Sequence, residues 1–130
     1  MTVQRFEDLV IWQEARELCV EVYSAFEKSK DYSFKDQIQR AAVSVMNNIA
    51  EGFDRNKNSK DNKQFISFLN IAIGSCGEVK SMSYLAQDLQ YLDVDKAEML
   101  RNKCLSLSIK INNLITTLQE NNGQNNRLTL

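Results

Sequence analysis

The 130-residue sequence contains no proline and only four glycines. Proline ends helices, and proline and glycine together build most tight turns, so this chain has few places to reverse direction. A multi-stranded β fold is therefore disfavoured, and a few long helices with short connections are favoured. The length fits a single domain.

Apolar residues recur at three- and four-residue steps in four long segments, which is the spacing of one face of an α-helix. The predicted helices run from Glu7 to Lys28, from Phe34 to Asp54, from Ser59 or Asp61 to Tyr91, and from an N-cap at Asp93 to about Glu120. We expect Ser33 and Asp36 to cap the second helix.

Short connections force neighbouring helices to run antiparallel, so the sequence predicts an all-α, up-down-up-down four-helix bundle over residues 1–120. Residues 121–130 are rich in Asn and Gln around Gly123, and we expect a disordered tail there. A long coiled-coil hairpin is the alternative, but it would leave the apolar faces of the first two helices without partners.

The sequence lacks the residues on which most catalytic and metal sites depend. It has no histidine, no Cys-x-x-Cys pair and no glycine-rich phosphate loop, so we predict no metal site, cofactor or enzymatic activity. Glu51 and Glu78 are lone acids on helices. An ordinary ion pair or hydrogen bond is the better interpretation of each.

Cellular location is predicted from the three cysteines and from hydropathy. Cys19, Cys76 and Cys104 lie among apolar neighbours at helical spacing, which indicates reduced core residues of a cytosolic protein. The N-terminus has no apolar signal core, and no apolar run reaches the roughly 20 residues of a membrane span. We therefore expect a cytoplasmic protein with no membrane partner.

The net charge is −1, but residues 28–64 carry eight basic and five acidic side chains. This segment contains five candidate contacts to nucleic-acid phosphates: Arg40, Arg55, Lys57, Lys60 and Lys63. Arg40 and Arg55 end a polar stripe on the second helix, which also holds Ser44, Asn47 and Glu51. Such a stripe can pair internally through Glu51 and Arg55, or it can offer donors to phosphates or to a protein.

The third helix is apolar over an unusually wide arc. From Phe65 to Ile73 the apolar residues span roughly 220°, whereas one buried face needs little more than 100°. We predict self-association through Ile66, Ile73, Gly74 and Gly77, since glycine costs a helix interior about 1 kcal/mol and calls for a packing reason. Deep burial of the helix within its own bundle is the alternative.

Four stretches together resemble the four-helix-bundle family of 23S rRNA intervening-sequence proteins: FEDLVIWQ at 6–13, DQIQRAAVS at 36–44, NIAEG at 48–52 and FLNIAIGSCGEV at 68–79. The family is similar to the accessory proteins of diversity-generating retroelements, which form pentameric barrels that bind nucleic acid and a reverse transcriptase. The resemblance implies a homopentamer without catalytic residues. This chain is slightly acidic, however, whereas the retroelement proteins are markedly basic.

Two hypotheses for the function follow. The first is a non-enzymatic, oligomeric protein that binds RNA or DNA or is associated with ribosomal RNA. The second is an oligomeric scaffold or adaptor that recognises a protein partner and has no role with nucleic acid. A contiguous positive surface favours the first hypothesis, and a surface of mixed charge favours the second.

Overall fold

A computed structural model describes residues 3–121, which contain four α-helices and no strand. A short 3-10 helix over Phe6–Asp8 precedes the α-helices. Their bounds are α1 Val10–Ala25, α2 Tyr32–Arg55, α3 Lys63–Asp88 and α4 Val94–Glu120. The prediction of an all-α fold is confirmed.

The four helices form a bundle in which each helix packs against two others. α2 packs against α1 and α3, and α4 packs against α3 and α1. Within residues 3–121 the diagonal pairs, α1 with α3 and α2 with α4, have no Cα atoms within 8 Å of each other. Connections of a few residues make sequential neighbours antiparallel, as an up-down-up-down arrangement requires.

The start of α2 differs from the prediction. Ser33 already lies inside the helix, and Asp31 is the N-cap, whose side chain accepts a hydrogen bond from the Phe34 backbone N–H at 3.1 Å. The Asp31 carboxylate also accepts from the Tyr91 hydroxyl at 2.6 Å. The capping role predicted for Asp93 is confirmed, because its side chain accepts from the Lys96 backbone N–H.

One continuous core runs through the bundle, and it contains most of the apolar face predicted for each helix. Leu85 and Leu89, which the spacing assigned to that face on α3, are instead 48% and 46% exposed. On α4, Leu100, Cys104, Leu107 and Ile111 are buried as expected. Further along, Ile115 is buried and Leu114 only partly so. The step from Ile111 to the next buried residue, Ile115, is therefore four residues, whereas the sequence pattern predicts a step of three, to Leu114.

No helix of the described residues is both long and apolar enough to cross a bilayer. Asn121 caps the end of α4. The rest of the predicted tail, residues 122–130, lies outside the described residues.

Candidate interaction surfaces

The connection between α2 and α3, residues 56–62, is fastened to the bundle by two buried asparagines. The Asn56 side-chain amide donates to Oδ1 of Asn62 at 2.9 Å, and Asn62 Nδ2 donates to the Leu118 carbonyl oxygen at 2.9 Å. These bonds hold the loop against the end of α4, and with it the lysines at 57 and 60.

Two of the predicted cations of this region are paired with acids on α2. Arg55 approaches Glu51 at 2.8 Å, and its guanidinium lies 5.5 Å from the centre of the Phe68 ring. Lys57 lies 3.6 Å from Asp54. Exposed pairs like these contribute little to stability, but they reduce the positive potential that a phosphate would meet.

The five predicted cations do not form one patch. Lys60 and Lys63 have no carboxylate within 4.0 Å anywhere in residues 3–121. Arg40 pairs with Asp36 at 2.8 Å and lies fifteen residues before Arg55, or about 22 Å along the helix. Of the five predicted cations, Lys60 and Lys63 are therefore the two whose side chains form no ion pair in the described residues, and the nucleic-acid site itself stays a prediction.

The middle of the polar stripe on α2 faces α3 and is used for packing between helices. The Ser75 hydroxyl donates to the Ser44 hydroxyl at 2.8 Å. Asn48 Nδ2, which the stripe did not include, donates to the Ser44 carbonyl oxygen and hydroxyl. Asn47 is exposed. The predicted stripe is therefore divided: Arg40 and Arg55 at its two ends each pair with an acid of α2, and Ser44 between them contacts α3.

The two lone acids have ordinary partners, as predicted. Glu51 pairs with Arg55, and Glu78 accepts a hydrogen bond from the Gln37 side chain at 3.4 Å. Among residues 3–121 there is no cluster of acids and cysteines that could hold a metal ion. Burial raises the pKa of Cys19 and Cys76 to about 11, and that of Cys104 to about 12, which leaves these thiols protonated near neutral pH.

The outward face of α3 is exposed and uncharged over the fourteen residues from Gln64 to Gly77. Ile71 is 50% exposed. Gly74 and Gly77 are exposed as well, and an added Cβ at either would meet nothing within 4 Å. No neighbouring residue described in this chain therefore requires a glycine at position 74 or 77.

The wide apolar arc predicted for α3 is divided between the chain's own core and the exposed surface. Ile66 and Ile73 are partly buried and pack against the chain's own core. The exposed residues of this segment are instead Ile71 and the two glycines together with the polar Gln64, Ser67 and Asn70. Gly52 differs from the glycines of α3. A Cβ added at this position would lie 2.7 Å from Phe68 Cβ, where α2 packs against α3, so only glycine fits there without a shift.

Sequence reasoning missed the outer side of the junction between α1 and α4. Two ion pairs bridge the helices there, Glu21 with Lys103 at 2.6 Å and Glu14 with Lys110. Val20 is 64% exposed and Met99 40% exposed beside these pairs. The sequence feature that points to this surface is the excess of acids in residues 7–27, which hold six acidic residues and one basic residue.

The described chain is thus an all-α four-helix bundle whose polar groups serve packing, capping and ion pairs. The sequence matches the family of 23S rRNA-intervening sequence proteins over residues 7–113. The chain belongs to this family, as the resemblance in its sequence predicted. No curated protein matches it.

A crystal structure from the S23 ribosomal protein family of Bacteroides thetaiotaomicron, of a protein with unknown function, has the same fold. Its TM-score is 0.72 at 22% identity, and the alignment covers 82% of this chain and 98% of the other. At this level of identity the similarity establishes the architecture alone.

Proposed function

We propose that the protein is a non-enzymatic scaffold that assembles with copies of itself and recognises a protein partner. The observation that carries the proposal is the outward face of α3, which is exposed and uncharged from Gln64 to Gly77. Contact surfaces between subunits are depleted of charge at their centre. The exposed residues here are Gln64, Ser67, Asn70, Ile71 and two glycines, and none of them is charged.

The glycines of this face support close contact with another helix. Each costs the interior of a helix about 1 kcal/mol relative to alanine. Neither Gly74 nor Gly77 has a neighbour in its own chain that would exclude a Cβ. A second backbone can approach most closely where side chains are absent, with Ile71 beside the glycines as an apolar contact.

A ring of five copies in the cytoplasm is the form of this assembly that the family resemblance suggests. If the α3 face docks on a different surface of the next copy, the contact is heterologous and closes into a ring or extends as a filament. The three cysteines are free and buried, which fits a reducing compartment.

Light scattering at micromolar concentration tests the assembly. We expect a mass well above 15.0 kDa for the wild type, near five times that value for a pentamer. Ile71→Lys and Gly74→Gln should lower the mass while circular dichroism shows an unchanged helical signal. Val20→Lys places the same charge on an exposed apolar position of α1, and an unchanged mass in this variant would show that the effect is specific to α3.

A wild-type protein that stays monomeric at high concentration would refute the assembly. So would α3 variants that fold normally and keep the wild-type mass.

RNA binding through the α2–α3 loop is a second candidate function, favoured by one observation. Within residues 3–121 the side-chain ammonium groups of Lys60 and Lys63 have no carboxylate within 4.0 Å, and they lie in and beside a loop that buried Asn56 and Asn62 hold in place. A ring would repeat these two lysines in every copy and so strengthen a weak site. Arg40, Arg55 and Lys57 remain lesser candidates because each already pairs with an acid.

Titration of a labelled single-stranded RNA at several salt concentrations tests this candidate. Replacing Lys60 and Lys63 with Gln should weaken binding for all sequences alike, and it should lower the salt dependence by about one unit of slope for each lysine that neutralised a phosphate. Lys57→Gln serves as the control, with a smaller change expected. Absence of RNA affinity at low salt would leave the scaffold as the only candidate.

A further inference from the structure

Two exposed isoleucines, Ile71 on α3 and Ile109 on α4, have surroundings without charge. Thirteen large apolar side chains are exposed within residues 3–121, and these two are 50% and 52% exposed. Each of the others has a charged residue three or four positions away in the sequence, which is the spacing of neighbours on a helix surface. Ile71 and Ile109 have none. A partner that covers either of them would therefore meet no charged neighbour on the same face of the helix.

The charge-free surroundings of Ile109 continue along α4. From Cys104 to Gln119 the single charged residue is Lys110, whose ammonium group pairs with Glu14 of α1. Leu105, one turn before Ile109, is 49% exposed. This helix thus presents two branched apolar side chains on an uncharged surface, and α3 presents Ile71 on another.

The two surfaces have complementary shapes. Leu105 and Ile109 project from α4, whereas a Cβ added at Gly74 or Gly77 of α3 would meet nothing within 4 Å. The glycines therefore leave a gap beside Ile71 that no described residue of their own chain fills. Large side chains of one helix pack into the gaps between side chains of another, so the α4 surface fits the α3 surface better than either fits itself.

Ile71 and Ile109 also lie at about the same level of the bundle. The hydrogen bond from the Asn62 side chain to the Leu118 carbonyl oxygen joins α3 to α4. Ile71 lies nine residues after Asn62 and Ile109 nine residues before Leu118, so each is about 14 Å along its helix from that bond. Copies related by rotation about an axis parallel to the helices keep this level. Ile109 of one copy then meets α3 of the next without a shift along the helices, as closure into a ring requires.

We infer that Leu105 and Ile109 of one copy dock on Ile71, Gly74 and Gly77 of a second copy. Burial of a charge without a partner costs free energy, so an uncharged face is matched by another uncharged face. This inference rests on the assembly part of the proposed function, and it adds the surface that the α3 face meets. Because the two surfaces lie on different helices, the contact is heterologous and each copy uses both.

The first test is Ile109→Lys, which places a charge in the middle of the α4 surface. Light scattering at micromolar concentration should give a mass near 15.0 kDa, as for Ile71→Lys, whereas the wild type gives a larger mass. Met99→Lys is the matched control, because it places the same charge on an exposed position of α4 that already has charged neighbours, and it should keep the wild-type mass. Circular dichroism checks that all three variants retain the helical signal.

The second test mixes the two variants that are monomers alone. Ile71→Lys keeps an intact α4 surface, and Ile109→Lys keeps an intact α3 surface. Together they offer one intact contact, so an equimolar mixture should form a dimer with a mass near twice 15.0 kDa and no larger species. Contacts of α3 with α3, or of α4 with α4, cannot produce this result.

The inference is overturned if Ile109→Lys keeps the wild-type mass, if Met99→Lys lowers the mass as much, or if the mixture stays monomeric. A mass that falls in Ile71→Lys but not in Ile109→Lys would refute the docking of α4 on α3 and leave the assembly in place. A monomeric wild type, by contrast, would refute the assembly itself.

Discussion

Asn62 donates a hydrogen bond from Nδ2 to the backbone carbonyl oxygen of Leu118, over 2.9 Å, and so joins the beginning of α3 to the end of α4. The side chain is 1% exposed, and its Oδ1 accepts from Asn56 at 2.9 Å. A buried amide is stable only when its donors and acceptors are paired, so this residue fixes how the loop closes. The unpaired lysines depend on that closure for their position.

Asn62→Ala should lower the free energy of unfolding by about 1–3 kcal/mol, because the Leu118 carbonyl oxygen and the Asn56 amide lose their buried partner. Urea denaturation of wild type and variant measures the difference. Asn58→Ala, in the exposed part of the same loop, is the control and should be close to neutral. Equal stability of the two variants would show that the buried amides contribute nothing.

Gly52→Ala should destabilise the bundle by about 1–3 kcal/mol, the usual cost of adding a methyl group to a packed interior. The new Cβ would lie 2.7 Å from Phe68 Cβ and 3.0 Å from Phe65 Cδ1, so α2 and α3 would have to separate. Thermal unfolding followed by circular dichroism measures the loss.

Gly74→Ala is the matched control for Gly52→Ala. A Cβ at position 74 meets no atom within 4 Å of its own chain, and alanine favours the helix more than glycine does. In dilute solution, where copies of the chain are dissociated, the stability of the bundle should therefore not fall in this variant. A destabilisation like that of Gly52→Ala would contradict the open surroundings of Gly74.

The helices could be predicted from the sequence because each buries one face, and burial of a face leaves a three- and four-residue period. Caps were harder to predict. Asp93 was predicted as the N-cap of α4 and is one, but Ser33 was predicted as the cap of α2, whereas Asp31 takes that position. Tyr91, sixty residues away, donates to Asp31, and no local pattern reveals that contact.

The candidate surfaces show the same limit. The pairing of Arg55 with Glu51 follows from their four-residue spacing and was foreseen. The ion pairs between α1 and α4 were not, because Glu21 and Lys103, for example, are 82 positions apart in the sequence. Ile66 and Ile73 were likewise predicted to contact another copy of the chain, with packing inside the bundle as the alternative, and in the bundle they are partly buried against its core.

Gln90→Gly should raise the free energy of unfolding by about 1 kcal/mol. Gln90 ends α3 with a φ of 63°, in the left-handed region where an L-residue with a side chain is strained and glycine is not. The backbone bonds of this ending, Tyr91 N–H to the Ala86 carbonyl and Gln90 N–H to the Gln87 carbonyl, are retained by glycine.

Chemical denaturation compares Gln90→Gly with Leu89→Gly. Leu89 has a right-handed helical conformation, with φ −82° and ψ 0°, so glycine there gains nothing and should reduce stability. The two neighbouring substitutions are thus expected to change stability in opposite directions. A loss in both would mean that the strain at Gln90 is negligible.

The buried thiols should make the protein less stable as the pH rises above about 9. The ordinary thiol pKa is 9.0, and burial raises it to about 11 for Cys19 and Cys76 and to about 12 for Cys104. Between these values the unfolded chain releases protons that the folded chain keeps, so alkaline pH favours unfolding. Urea denaturation across this range measures the slope. Cys104→Val removes one of the three groups and should flatten the slope relative to wild type; an identical slope would show that this thiol ionises equally in both states.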